Sequence, residues 1–327
     1  SLGAAANKDY QRLLEAPDVQ RLPLSALSPN DAIVLVCQRL GVVQLPPPVA
    51  ELIQQRAEGH PFFSEELAYA LRDAGMIRIQ AGQCILEPNA SLQLLDFPQT
   101  IQGIVTSRID RLPPSQQLTL KIASVIGRIF LHRALHDIHP VENDRAYLRE
   151  YLSTLERLDI TALEQPDPNL TYLFKHAITQ EVAYNMLLFA QRWQLHQLVA
   201  EWYEHTFADD LSPYYPLLAH HWWQAVAQRQ FEPQLVLRAI AALEHAGEQA
   251  LRNYANREAV RFFSQLLELD RSLDAAQNPT DHRRRAGWEQ QLGEAYQNLG
   301  QLVESRAHLE RALVLLGVDQ AAAVTLQ

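Results

Sequence analysis

Gly59-His60-Pro61-Phe62-Phe63-Ser64-Glu65-Glu66-Leu67 opens a helix through a rigid bend. A glycine two residues before a proline permits a tight turn, and the proline fixes φ and suits the first helical turn. Phe62, Glu65, Glu66 and Leu67 then give the helix an amphipathic start, with the Pro61 ring free to face a ligand.

Helical punctuation continues on both sides of this bend. Ser28 reads as an N-cap and Pro29 as first-turn proline, with Ile33, Val36, Cys37 and Leu40 on one stripe before Gly41 ends it. Pro46-Pro47-Pro48 starts a second helix, and the helix from Pro61 runs to Gly75, so three short helices form a small unit. Met76 to Leu86 alternates as a hairpin turning at Ala81-Gly82, followed by a loop at Pro88-Asn89-Ala90-Ser91. Helices resume near Pro98 and run to Gly127, interrupted at Pro113-Pro114. Leu131 to Ile138 and Tyr147 to Leu158 read as helices. Ile160 to Leu163 and Leu170 to Phe174 read as two strands around the turn Gln165-Pro166-Asp167-Pro168-Asn169, the pattern of a winged helix.

Everything beyond His176 reads as helical, including Arg192 to Phe207 and Pro216 to Ala227. Gly247, Ala250, Ala259 and Phe263 repeat the offsets 3, 12 and 16 of Gly293, Tyr296, Ser305 and Leu309. These match tetratricopeptide (TPR) spacing, in which small residues let paired helices approach. The two units are 46 residues apart rather than 34, an excess assigned to the polar stretch Asp274 to Arg285. The expected fold is therefore mainly α: residues 24–112 a helical lid with a hairpin at 76–87, residues 113–188 a winged helix, and residues 189–327 a TPR-like superhelix. Residues 1–23 have no clear period and read as an edge or linker.

With 327 residues and 47% hydrophobic content, the chain can bury two or three ordinary cores. It has no apolar run of membrane-spanning length and no signal-peptide order at its start, so a cytoplasmic, membrane-free protein is expected. Cys37 and Cys84 read as reduced thiols. A net charge of -10 argues against nucleic acid as a partner, and the run Arg283-Arg284-Arg285 reads as a solvated helix start.

None of the 12 glycines precedes a lysine, so the chain contains no Gly-x-x-x-x-Gly-Lys-Ser/Thr phosphate loop. It also has no Gly-x-Ser-x-Gly elbow and no His-Glu-x-x-His helix, and Glu65 and Glu66 fall on adjacent helix faces. No catalytic residue is expected. His132, His136 and His139 have i, i+4, i+7 spacing, but Pro140 ends the helix behind them, so no metal site is expected there. His220-His221-Trp222-Trp223 cannot all face one way on a helix, and its aromatics read as core.

Several blocks, in order, resemble STAND-type signalling ATPases. They are Leu24-Ser25-Ala26-Leu27-Ser28, Ala57 to Phe63, Phe97-Pro98 with Ser107-Arg108-Ile109-Asp110-Arg111-Leu112, Ala123 to Phe130, and Phe174-Lys175-His176-Ala177 with Glu181-Val182-Ala183-Tyr184. Such modules follow the catalytic domains of bacterial class III adenylate or guanylate cyclases, and occur in large transcription regulators and in kinases. The resemblance implies that an upstream ATPase core of the same protein binds ADP or ATP with Mg. It further implies that Pro61, with Gly59 permitting the approach, contacts the base, and that His176 reaches the β-phosphate of ADP as in the Met-His-Asp element of NB-ARC switches. Here Lys175 and Ala177 replace the flanking Met and Asp. A helix start for Pro61, and a cap or packing role for His176, stay open beside these readings. Arg108 is a weaker phosphate candidate, because Asp110 can neutralise it in a structural ion pair. The TPR-like surface is expected to bind a protein partner. The alternatives are a nucleotide-independent scaffold and a DNA-binding winged helix, the latter opposed by balanced charges over residues 144 to 158.

Overall fold

The computed structural model describes residues 18–20, 22–88, 100–227, 232–275 and 280–317, and the chain is mainly helical with small antiparallel sheets. The loop expected at Asn89 to Ser91, the Phe97-Pro98 pair and nearly all of the expected linker lie outside these residues. Two compact units divide at Arg111/Leu112.

In the first unit, α1 (Pro29–Leu40) starts where Ser28 Oγ accepts the Asp31 N–H at 3.2 Å and stops at Gly41, whose φ is 67°. Two further proline-started helices follow, α2 (Pro47–Ala57) and α3 (Pro61–Asp73). Strands β1 (Ile77–Gln80) and β2 (Gln83–Leu86) pair from Ile77–Leu86 to Gln80–Gln83. Ala81 and Gly82 both take positive φ, 50° and 75°, as a two-residue hairpin turn requires. Helix α4 (Ile101–Asp110) is capped by Thr100 and buries Ile104, Val105 and Ile109. Val36, Leu40, Val49, Ile53, Leu67 and Leu71 form the core.

Helix α3 departs from the amphipathic start expected of it. Every residue from Phe63 to Leu71 is buried, Glu65 and Glu66 included, which makes α3 the central helix of the unit. The acids tolerate burial because each has its own arginine: Arg39 Nε lies 2.8 Å from Glu65, and Arg108 Nη1 lies 2.7 Å from Glu66.

The second unit opens with α5 (Pro114–Ile126), β3 (Ile129–Leu131), α6 (His132–Ile138), α7 (Glu142–Arg145), α8 (Leu148–Arg157), β4 (Thr161–Gln165), β5 (Thr171–Phe174) and α9 (Ala177–Asn185). Its antiparallel sheet has the order β3-β5-β4, so three strands stand where two were expected. Leu131 closes a strand instead of opening a helix. Phe130 and Phe174 of the sheet and Leu135, Leu152 and Leu155 of α6 and α8 are fully buried.

Six long helices follow: α10 (Phe189–Thr206), α11 (Tyr215–Val226), α12 (Pro233–Arg252), α13 (Asn256–Ala275), α14 (His282–Asn298) and α15 (Leu302–Leu315). The glycines of the repeat sit at close crossings. A Cβ on Gly247 would meet the Phe263 ring at 2.7 Å, and one on Gly293 would meet Leu309 Cγ at 2.8 Å. Both contacts join residues 16 apart, the offset that defined the repeat.

Two tryptophan clusters, which no sequence period announces, tie successive helices together. Trp222 Nε1 donates to Glu204 at 2.8 Å, with Arg238 paired to the same acid and stacked over the indole. Trp288 Nε1 donates to Glu244 at 2.7 Å, with Arg284 in the matching role. Arg283 and Arg284 are exposed at the start of α14, as expected of the arginine run, but the run also makes ion pairs. Arg284 joins α14 to α12, and Arg285 pairs with the buried Asp270 of α13.

Candidate functional site

The bend before α3 is fixed by backbone contact. Glu58 and Gly59 both take positive φ, 48° and 76°. A Cβ at Gly59 would lie 2.3 Å from the Leu27 carbonyl oxygen, while the Leu27 N–H donates to the Gly59 carbonyl at 2.8 Å. Only glycine fits so close a strand-like neighbour. His60 Nδ1 accepts the Phe63 N–H at 3.3 Å and caps the helix, which leaves the Pro61 ring exposed at the first helical position.

Arg108 lies in the same unit but is sealed inside it. Its guanidinium is about 3% exposed, reaches Glu66 Oε2 at 2.7 Å and Asp73 Oδ2 at 3.0 Å, and lies over the Tyr69 ring. The main neutralising acids come from α3, not from the neighbouring Asp110, because α3 and α4 face each other. Burial pushes the Glu66 carboxyl up against the opposing pull of Arg108, and the two acids keep the guanidinium charged despite its own desolvation. Arg111, by contrast, is exposed and donates to the Ala70 carbonyl at 3.0 Å.

His176 belongs to the second unit, half-buried at the junction where β5 gives way to α9. Its side chain makes no capping hydrogen bond, which removes the helix-cap alternative. Lys175 pairs with Asp159.

The second unit also carries a groove of about 900 Å³ lined from α13, α14 and α15. Its charged lining includes Asp270, Arg271, Arg285, Glu289, His308 and Arg311. His308 Nδ1 lies 2.6 Å from Glu289, and the Tyr296 ring stacks on the imidazole.

The arginines of the expected recognition helix are engaged within the unit. Arg145 donates to the His139 carbonyl, Arg149 holds Asp167 with two hydrogen bonds of 3.1 Å, and Arg157 donates to Thr154. His132, His136 and His139 do not converge either. The first two rings stack at 6.4 Å, whereas His139 ends α6 and turns inward towards Thr119. Among the described residues, the group that could hold a metal is His196, His220 and His221; the sequence reading put the aromatics of the run His220 to Trp223 in the core and did not single out His196. No helix of the described residues is long and apolar enough to cross a membrane.

A family model described as a domain of unknown function (DUF8739) matches residues 29–85, the first three helices of the first unit and most of its hairpin. No curated protein and no solved structure matches the chain.

Proposed function

We propose that this chain is the control region of a nucleotide-dependent signalling protein of the STAND type, its first unit acting as lid, residues 113–188 as a winged-helix arm and the later helices as a TPR-like surface for a protein partner. In this reading the ATPase core that binds ADP or ATP with Mg, and an adenylate or guanylate cyclase output, lie elsewhere in the same protein, and the chain itself catalyses nothing. The observation that carries the reading is the bend at Gly59. It is built at the cost of two left-handed residues and a backbone contact no side chain could share, and it presents an exposed proline ring at the start of α3. The α–β–α–α–α–β–β order around the β3-β5-β4 sheet supports the arm, and the paired glycine crossings support the repeats.

A nucleotide can shift such a switch only through contacts that differ between its states. Pro61 offers apolar surface to a base, which ADP and ATP share; His176 offers one hydrogen bond to a phosphate in the ADP-bound state. In the longer protein carrying the core, Pro61→Ala should weaken ADP and ATP alike, while His176→Ala should weaken ADP selectively, by about 10-fold or more for a hydrogen bond to a charged group. Nucleotide retained after desalting, measured by chromatography, reads both. Unchanged retention in both variants would sink the proposal and favour the second reading, a nucleotide-independent scaffold. The groove on α13 to α15, with both signs of charge in its lining, is the observation that favours that scaffold.

A further inference from the structure

His196 on α10 and His221 on α11 are buried against one another, and His220 stands on the exposed side beside them. His196 Nδ1 lies 2.8 Å from His221 Nδ1, and the Tyr184 hydroxyl lies 3.0 Å from His196 Nε2. The rings are inclined to one another, at 77° for His196 and His220 and 72° for His220 and His221, so their edges converge instead of their faces. One nitrogen from each ring falls within 4.8 Å of the other two.

The hydrogen bonds of the cluster run through His196 and His221 and can close in one tautomer. A neutral imidazole has one N–H and one lone pair. If His196 supplies the proton between the two Nδ1 atoms, its Nε2 accepts from Tyr184 and His221 keeps an N–H at Nε2. If His221 supplies that proton, its Nε2 is bare. In both tautomers Nε2 of His221 is buried and makes no close hydrogen bond. The backbone of Ile126 acts on the His221 ring as a hydrogen-bond partner, opposing the lowering of its pKa by burial.

We propose that His196, His220 and His221 bind a divalent transition-metal ion of the zinc class. Three imidazole nitrogens with no oxygen donor among them suit zinc, copper or nickel and not calcium or magnesium. Burial already holds His196 down to about 3 and lowers His220 and His221, so their lone pairs are unprotonated at neutral pH. An ion between the two Nδ1 atoms requires them to open from 2.8 Å to about 3.3 Å, the separation that tetrahedral bonds of about 2.0–2.1 Å impose. Both rings then carry their proton on Nε2, that of His196 donating to the Tyr184 oxygen as an orienting outer partner. No proton is released, because one ring only changes tautomer. The fourth position falls to water on the side of His220. Arg192 and Arg261 act on His196 and His220 as positive neighbours, so binding draws on nitrogen coordination and not on charge attraction.

The test uses tag-free protein stripped with EDTA, dialysed against Zn²⁺ and, separately, Co²⁺. One equivalent of zinc should be retained, and cobalt should give the visible absorption of a four-coordinate nitrogen site. His220→Ala removes an exposed ring; it should leave the melting temperature in EDTA unchanged and weaken metal binding by about 10-fold or more. His136→Ala, outside the cluster, should change neither. Failure to retain stoichiometric zinc, or retention as strong in His220→Ala as in the parent, would overturn the proposal.

Discussion

Gly247→Ala should destabilise the second unit although alanine is the better helix former. In an exposed helix interior, the exchange gains about 0.8–1 kcal/mol from backbone entropy. At Gly247 the new methyl would stand 2.7, 2.9 and 3.0 Å from three carbons of the Phe263 ring, and that ring is fully buried in the core with Leu243, Leu266 and Trp288. Overpacking of this kind costs about 1–3 kcal/mol, so the net effect is a loss of up to about 2 kcal/mol. Gly287 provides the control within the same unit, because a Cβ there meets nothing within 4 Å. Gly287→Ala should therefore stabilise by about 1 kcal/mol. Gly293→Ala should fall between the two, since the Leu309 side chain it meets at 2.8 Å is only half-buried and can give way. For a unit of this size about 1 kcal/mol moves the midpoint by roughly 2–4 °C, so Gly247→Ala and Gly287→Ala should melt about 2–12 °C apart. Calorimetry or urea titration followed by circular dichroism reads the difference. If Gly247→Ala melts at or above Gly287→Ala, the close glycine crossing is not what sets the helix spacing.

Gly59→Ala should cost the first unit about 2–4 kcal/mol in urea titration, from the left-handed backbone, the 2.3 Å approach to Leu27 and the adjoining hydrogen bond; a loss below about 1 kcal/mol would show that the bend is not locked. Arg108→Ala should cost about 3–5 kcal/mol by leaving Glu66 and Asp73 buried without their cation. Without the arginine the Glu66 carboxyl rises further above its unfolded value, so its protonated form favours the native state at low pH and stability is lost as pH rises through the folded value. The Arg108→Ala deficit should accordingly be smaller at pH 5 than at pH 8, and a deficit independent of pH would count against it. His139 is fully buried and burial lowers its pKa from 6.5, with its bond to Val141 opposing; the unfolded chain therefore takes up the proton first on acidification. Stability should fall as pH drops below 6.5, by up to about 1.4 kcal/mol per pH unit from this group, and His139→Gln should flatten that slope in melts run with EDTA.

Local punctuation was legible and distant pairing was not. Ser28, Gly41, Pro47, Pro61 and Ala81-Gly82 act on the backbone within a few residues of themselves, so their roles could be read where they stand. Strand β3 has only three residues, too few for an alternating pattern, and it exists because β5 offers it an edge. The clusters of Trp222 with Glu204 and Trp288 with Glu244 join residues 18 and 44 apart, so the same chemistry recurs without a common spacing. His196 and His221 are 25 residues apart on different helices, and no short motif links them.

Arg108 shows most clearly why residue type alone misleads about a site. Beside Ser107 and Asp110 it has the look of a phosphate sensor that an acid partly masks. What decides its role is desolvation. Once a guanidinium leaves water, each carboxylate within hydrogen-bond distance gains strength from the lower dielectric, and those acids must first be displaced before any phosphate can bind. Glu66 and Asp73 stand 42 and 35 residues away in sequence and already take up the Nη1 and Nε donors, with Tyr69 beneath the plane. A phosphate brought to this centre would meet two buried negative charges for one positive charge. Arg108 therefore holds α4 to α3 and is not open to a phosphate.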